Sequence, residues 1–133
     1  MPSSRNWTIA LWIVQILLAG FYSFAGFSKA FTELPDMGEF LPGWPGDYTT
    51  LFRVIGWAEL AGAMGLILPS LTRILPGLTP LAAAGLSAIQ VFAIVFHAMR
   101  GETGATLPVN LVLLALSLFV LWGRLKSAPI AAR

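Results

Sequence analysis

Four long stretches of this chain carry no charged side chain, and that feature decides most of what it can fold into. The stretches extend from Asn6 to Ser28, from Leu60 to Thr72, from Ile74 to Met99 and from Thr103 to Gly123. A helix needs about 20 mainly apolar residues to cross the hydrocarbon core of a bilayer, so each reads as a membrane span or the core of one. With 57% hydrophobic and 11% charged residues among 133, the composition lies outside the range of soluble domains. The expected fold is an all-α integral membrane protein, one domain over residues 1–133, with four transmembrane helices in an antiparallel bundle. Arg5 and the Ser28-Lys29-Ala30 triplet imitate a signal peptide around the first run, but an h-region holds only about 7 to 15 apolar residues.

Prolines, glycines and capping residues place the helix ends. The first helix reads from Trp7 to Ala30, followed by a loop broken by Pro35, Pro42, Gly43, Pro45 and Gly46. A loop of that length is commonly functional, and it is expected to fold over the outer mouth of the bundle with Phe40 and Trp44 at the interface. Within it, "FTELPDMGEF" has the composition of a short interfacial helix, against which Pro35 and Gly38 argue. The second helix starts at Tyr48 or Thr49 and stops at Pro69. Thr79-Pro80 has the form of an N-cap with proline at the first helical position, giving a third helix from Pro80 to Met99. Thr106 and Pro108 repeat that signal for a fourth helix ending at Trp122-Gly123.

Basic residues set the orientation. Arg5, Arg73, Arg124, Lys126 and Arg133, five of the eight, fall on the side that holds both termini, and Lys29, Arg53 and Arg100 on the other. By the positive-inside rule both termini are cytoplasmic, with Trp7 and Trp122 together at the inner headgroup boundary. The net charge of +2 therefore expresses membrane topology and does not mark a nucleic-acid surface. The absence of cysteine excludes disulfides, thiolate nucleophiles and thiolate metal sites. A single histidine excludes a two-histidine haem and a multi-histidine metal site within one chain.

Against this apolar background the polar residues stand out. Glu59 falls about ten residues into the second helix, or about 15 Å from its start, where a charged carboxylate must face the bundle interior and find a partner. Arg53, six residues earlier, lies about 120° around the same helix, which leaves Lys29 and His97 as the partners available from other helices. Gln90 lies two turns below His97 on one face of the third helix, Asn110 enters the fourth, and Gln15, Tyr22 and Lys29 recur every seven residues on the first. Lys29 and Arg53 near helix ends also fit snorkelling anchors, and Gln15, Gln90 and Asn110 also fit interhelical hydrogen bonding. Gly56, Gly62, Ala63 and Gly65 flank Glu59 with small residues. Such a stripe either lets a neighbouring backbone approach or leaves room for a flat ligand, which Phe21, Tyr22, Phe24, Phe27, Trp57, Phe92 and Phe96 would wall.

The run "AGFSKAF" at the end of the first helix, "GWAELAGAMGLILP" in the second, and His97 near the outer end of the third resemble the DoxX-like family of small four-helix membrane proteins. The resemblance implies a left-handed four-helix bundle in a bacterial inner membrane, with functional residues at Lys29, Arg53, Glu59 and His97. It also implies association with membrane oxidoreductase systems, thiosulfate:quinone oxidoreductase among them, or with their assembly.

Two functions follow as expectations. In the first, the protein is a component of a quinone-linked oxidoreductase: Glu59, His97 and Lys29 carry the chemistry, and Arg53, Gln90, Asn110, Tyr22 and Trp57 hold the ligand. No cofactor resides in the chain, the quinone is ligand or substrate, and electrons come from a membrane-protein partner. In the second, the same polar cluster binds a lipophilic molecule or a partner helix without turnover, as a binding or assembly protein. A homodimer is compatible with either.

Overall fold

The computed structural model describes residues 4–31, 49–101 and 103–133. These form four helices: α1 (Ser4–Phe31), α2 (Thr49–Thr72), α3 (Leu78–Met99) and α4 (Thr103–Trp122). A π-helical turn over Gly123–Ser127 continues α4. Each helix is long and apolar enough to cross a membrane, and there is no strand among the described residues. The outer-loop expectations for Phe40, Trp44 and "FTELPDMGEF" fall outside them.

Three helix ends depart from the sequence reading, all at proline. Pro69 lies inside α2, which runs on to Thr72, and Pro108 lies inside α4, which begins at Thr103. Proline removes one N–H from the helical ladder, and transmembrane helices tolerate this because nearby groups satisfy the freed carbonyl. Thr79 does not cap α3. That helix starts at Leu78 behind Gly77 with no side-chain cap, and the Thr79 hydroxyl lies 2.7 Å from that of Ser70. The α2–α3 connection is tight, with Arg73 and Leu75 at φ 59° and 48°, in the left-handed region that side chains rarely enter. The C-terminal segment braces it: Arg73 Nε donates to the Ala131 carbonyl at 2.8 Å, and the Arg133 N–H donates to the Arg73 carbonyl at 3.1 Å.

The helices pack most extensively in sequence-adjacent fashion, α1 on α2 and α3 on α4, with α2 against α3 and a narrower α1–α4 seam. Leu18, Tyr22, Ala63, Leu66, Ala83, Leu86, Leu113 and Val120 form the buried core. Many large apolar side chains, such as Phe24, Leu71, Leu81 and Met99, point outward. A protein in water would hide them, whereas in a bilayer that face meets lipid tails. Trp7 and Trp122 meet edge to face, ring centroids 5.1 Å apart, so the start of α1 lies beside the end of α4.

Candidate functional site

The site begins at a close approach of two backbones. A Cβ on Gly26 would stand 2.7 Å from the Gly56 carbonyl oxygen, and one on Gly56 would stand 2.7 Å from the Ala30 nitrogen. Only glycine permits α1 and α2 to touch there. One turn on along each helix, the contact delivers Lys29 to Glu59: Nζ donates to Oε1 at 2.8 Å. Glu59 is 2% exposed and Lys29 25%, so the carboxylate is inside and its cation reaches in from the edge. Arg53 does not join the pair. Its Nη1 donates to the Lys29 carbonyl at 3.0 Å, satisfying one of the carbonyls that the last turn of α1 leaves without a helical partner.

Beside the ion pair all four helices enclose a cavity of about 140 Å³. Its polar lining is Lys29, Glu59, Gln90, His97 and Asn110; its aromatic walls are Phe21, Phe52, Phe92 and Phe96. Buried polar atoms normally find partners. Among the described residues four buried side-chain atoms have none, and three belong to residues lining this cavity: Glu59 Oε2, Gln90 Oε1 and Asn110 Nδ2. They amount to two acceptors and one donor. The Gln90 amide is held from behind, where its Nε2 donates to the Tyr22 hydroxyl at 3.1 Å and that hydroxyl lies 3.5 Å from Ser117 Oγ.

Five of the eight residues singled out from the sequence thus meet around one cavity. Tyr22 stands one hydrogen bond behind it, and Arg53 acts on the end of α1. Trp57 lies outside: it is 55% exposed and packs edge to face on Phe31, centroids 5.0 Å apart. Two residues along a helix is a turn of about 200°, so Trp57 and Glu59 cannot share a face. Phe24 and Phe27, also considered as walls, are exposed as well.

Sequence reasoning missed Arg124, which it counted only among the basic residues on the side of the termini. The π-helical turn carries Arg124 back into the bundle, where it is buried. Its Nε donates to Gln15 Oε1 at 2.7 Å and its Nη1 to the Ala128 carbonyl at 2.9 Å, while Gln15 Nε2 donates to the Leu66 carbonyl at 2.5 Å. Gly123 makes room, since a Cβ there would collide with the Leu11 side chain. The signal available in the sequence was that glycine followed by a lone arginine at the end of an apolar run.

The model of the DoxX-like family matches residues 13–120, about four fifths of the chain, and the chain belongs to that family. Comparison with curated proteins gave no match, and comparison with solved structures gave none.

Proposed function

We propose that this DoxX-like chain is the quinone-handling membrane component of an oxidoreductase system, working from a bacterial inner membrane as an antiparallel bundle with both termini in the cytoplasm. The observation that carries the reading is the cavity whose lining residues hold two unpartnered acceptors and one unpartnered donor. Its volume of about 140 Å³ is close to that of an engineered apolar cavity of about 150 Å³ that takes one benzene, so it suits a single six-membered ring. A quinone carbonyl would accept from Asn110 Nδ2, and a quinol hydroxyl would donate to Gln90 Oε1 or Glu59 Oε2. Oxidation of a quinol releases two electrons and two protons. Glu59 Oε2 would accept the two hydroxyl protons in turn, and His97, toward the end of α3, would pass each to the membrane surface before the next is taken. The electrons would go to or come from a partner protein.

The same volume admits one ring and no second reactant beside it. That favours, as the second reading, a protein that holds a lipophilic ring without turnover.

Titration of the detergent-purified protein with a benzoquinone lacking a tail tests both. Asn110→Leu and Gln90→Leu should each weaken binding about tenfold, the loss of one buried hydrogen bond. Glu59→Gln, which keeps size and hydrogen bonding but removes the titratable proton, should retain binding and lose quinol oxidation in membranes. Binding indifferent to Asn110 and Gln90 would sink the ring site, and full oxidation with Glu59→Gln would sink the proton relay and leave the second reading.

A further inference from the structure

The ring-sized cavity shares part of its lining with recesses on the α2–α3 seam. Four of its lining residues, Leu51, Ile55, Ile89 and Phe92, also line an open recess of about 280 Å³ on the outer face of the α2–α3 seam, where Ala88 completes the wall. From Ile89 a second recess of about 470 Å³ runs along the same seam to Leu78, past Ala82, Gly85 and Leu86 on α3 and Ala58, Ala61, Gly62 and Gly65 on α2. From Leu78 to Ile89 the distance along α3 is about 16 Å at 1.5 Å per residue. The floor of this trough is tight: a Cβ on Gly62 would stand 2.6 Å from the Leu86 side chain, and one on Gly65 would stand 2.7 Å from Ala82 Cβ. Its rim is open, for a Cβ on Gly85 would meet nothing within 4 Å. The seam is therefore a trough lined by small and aliphatic residues, closed beneath, open to the side, and bordered at one end, across Ile89, by the chamber whose lining residues carry buried polar atoms without partners.

We propose that the α2–α3 trough is the tail subsite and lateral entrance of the ligand whose ring occupies the cavity. The ligand is then a lipophile with one polar six-membered ring and a linear apolar tail, entering from the lipid rather than from water. This rests on the ring site proposed above. Small-residue seams are also ordinary helix packing. What separates this one is its neighbour: Ile89 at its end, with Leu51, Ile55 and Phe92 in the adjoining recess, also lines the cavity of Glu59 and Gln90, whose Oε2 and Oε1, each on a side chain more than nine-tenths buried, have no partner. The trough runs along the helices, so a tail in it lies parallel to the acyl chains it leaves, and passage through the Ala88 recess exposes no polar group of the ligand to water.

The test compares two probes, a tailless benzoquinone and the same ring with a decyl tail, by displacement titration on the full chain in bilayer nanodiscs. Gly85→Leu fills the trough at a point where the added side chain meets open space, and replacing glycine within a helix favours the helical backbone, so folding is preserved. Ala88→Phe fills the entrance. Each variant should weaken the tailed probe about tenfold, equivalent to about 1.4 kcal/mol, and change the tailless probe less than twofold. Leu118→Phe, on the outward face of α4, should change neither. Equal weakening of both probes, or tailed binding unchanged in both trough variants, overturns the trough while the ring site stands. Failure of the parent protein to bind either probe overturns the ring site, and the tail subsite with it.

Discussion

At the scale of the residue, the Lys29–Glu59 pair sets the terms. Glu59 is the one acidic side chain among the described residues, and Lys29 meets only one of its two oxygens. Removing one member of a buried pair leaves the other charge without compensation, at a cost of about 3 to 5 kcal/mol. Because Lys29 is a quarter exposed, the low end applies. Lys29→Met and Glu59→Leu should each lower the thermal unfolding midpoint in detergent. The double variant should recover most of the loss, because two apolar side chains leave nothing uncompensated. It should not restore full ligand binding, for one of the two unpartnered acceptors on the residues lining the cavity is gone. A double variant no more stable than either single would show that the pair contributes little to folding. Arg124 gives a contrast at the other end of the bundle. Its hydrogen bonds run to Gln15 and to the Ala128 carbonyl, so Arg124→Ala should free the C-terminal segment, seen as faster proteolysis after Ala128, while the titration of the ring site stays as in the parent.

At the scale of the element, the glycines sort by what a side chain would strike. At Gly26 and Gly56 it would strike the backbone of the facing helix, which cannot yield as a side chain can. Gly26→Ala and Gly56→Ala should push α1 from α2, cost about 1 to 3 kcal/mol of overpacking and weaken ring binding through the displaced Lys29–Glu59 pair. Gly20 faces open space, and Gly20→Ala should unfold at or above the parent temperature. If all three substitutions behave alike in a melting series, the close approach of α1 and α2 is not what sets Lys29 against Glu59. The prolines teach the complementary lesson about reading elements from sequence. The sequence reading stops the second helix at Pro69, as proline breaks helices in water, and starts the fourth at Thr106 and Pro108, as proline favours the first helical position. In a chain whose environment offers no water to a free backbone group, staying helical costs less than unwinding, and both helices continue through.

At the scale of the whole molecule, the prediction concerns orientation. By the positive-inside rule the end of the bundle that carries Arg5, Arg73, Arg124, Lys126 and Arg133 should be the cytoplasmic one, with Lys29, Arg53 and Arg100 at the opposite end. Fusion of a cytoplasm-active reporter after Arg133 should be active, and a periplasm-active reporter in the loop between α1 and α2 should be active as well. The reverse result would invert the face toward which the His97 end of α3 lies without moving any residue of the cavity.

The sequence by itself determined that the chain forms four membrane-length helices and that Glu59 turns inward. Both follow from local facts: a polar backbone in lipid must close its own hydrogen bonds, and a carboxylate against hydrocarbon is too costly to leave bare. It also narrowed the partner of Glu59 to Lys29 or His97, since Arg53 lies on the wrong side of its own helix. Tertiary structure decided the rest. Gly26 and Gly56 selected Lys29 by setting the contact between α1 and α2. The rotation of α3 and α4 turned Gln90, His97 and Asn110 onto one cavity, while two residues of helical turn sent Trp57 to the lipid. A π-helical turn carried Arg124 to Gln15, 109 positions away in the chain. Helix formation in lipid depends on each segment's own composition, whereas the meeting of polar side chains depends on how four separate helices are rotated and spaced, and no segment carries that information alone.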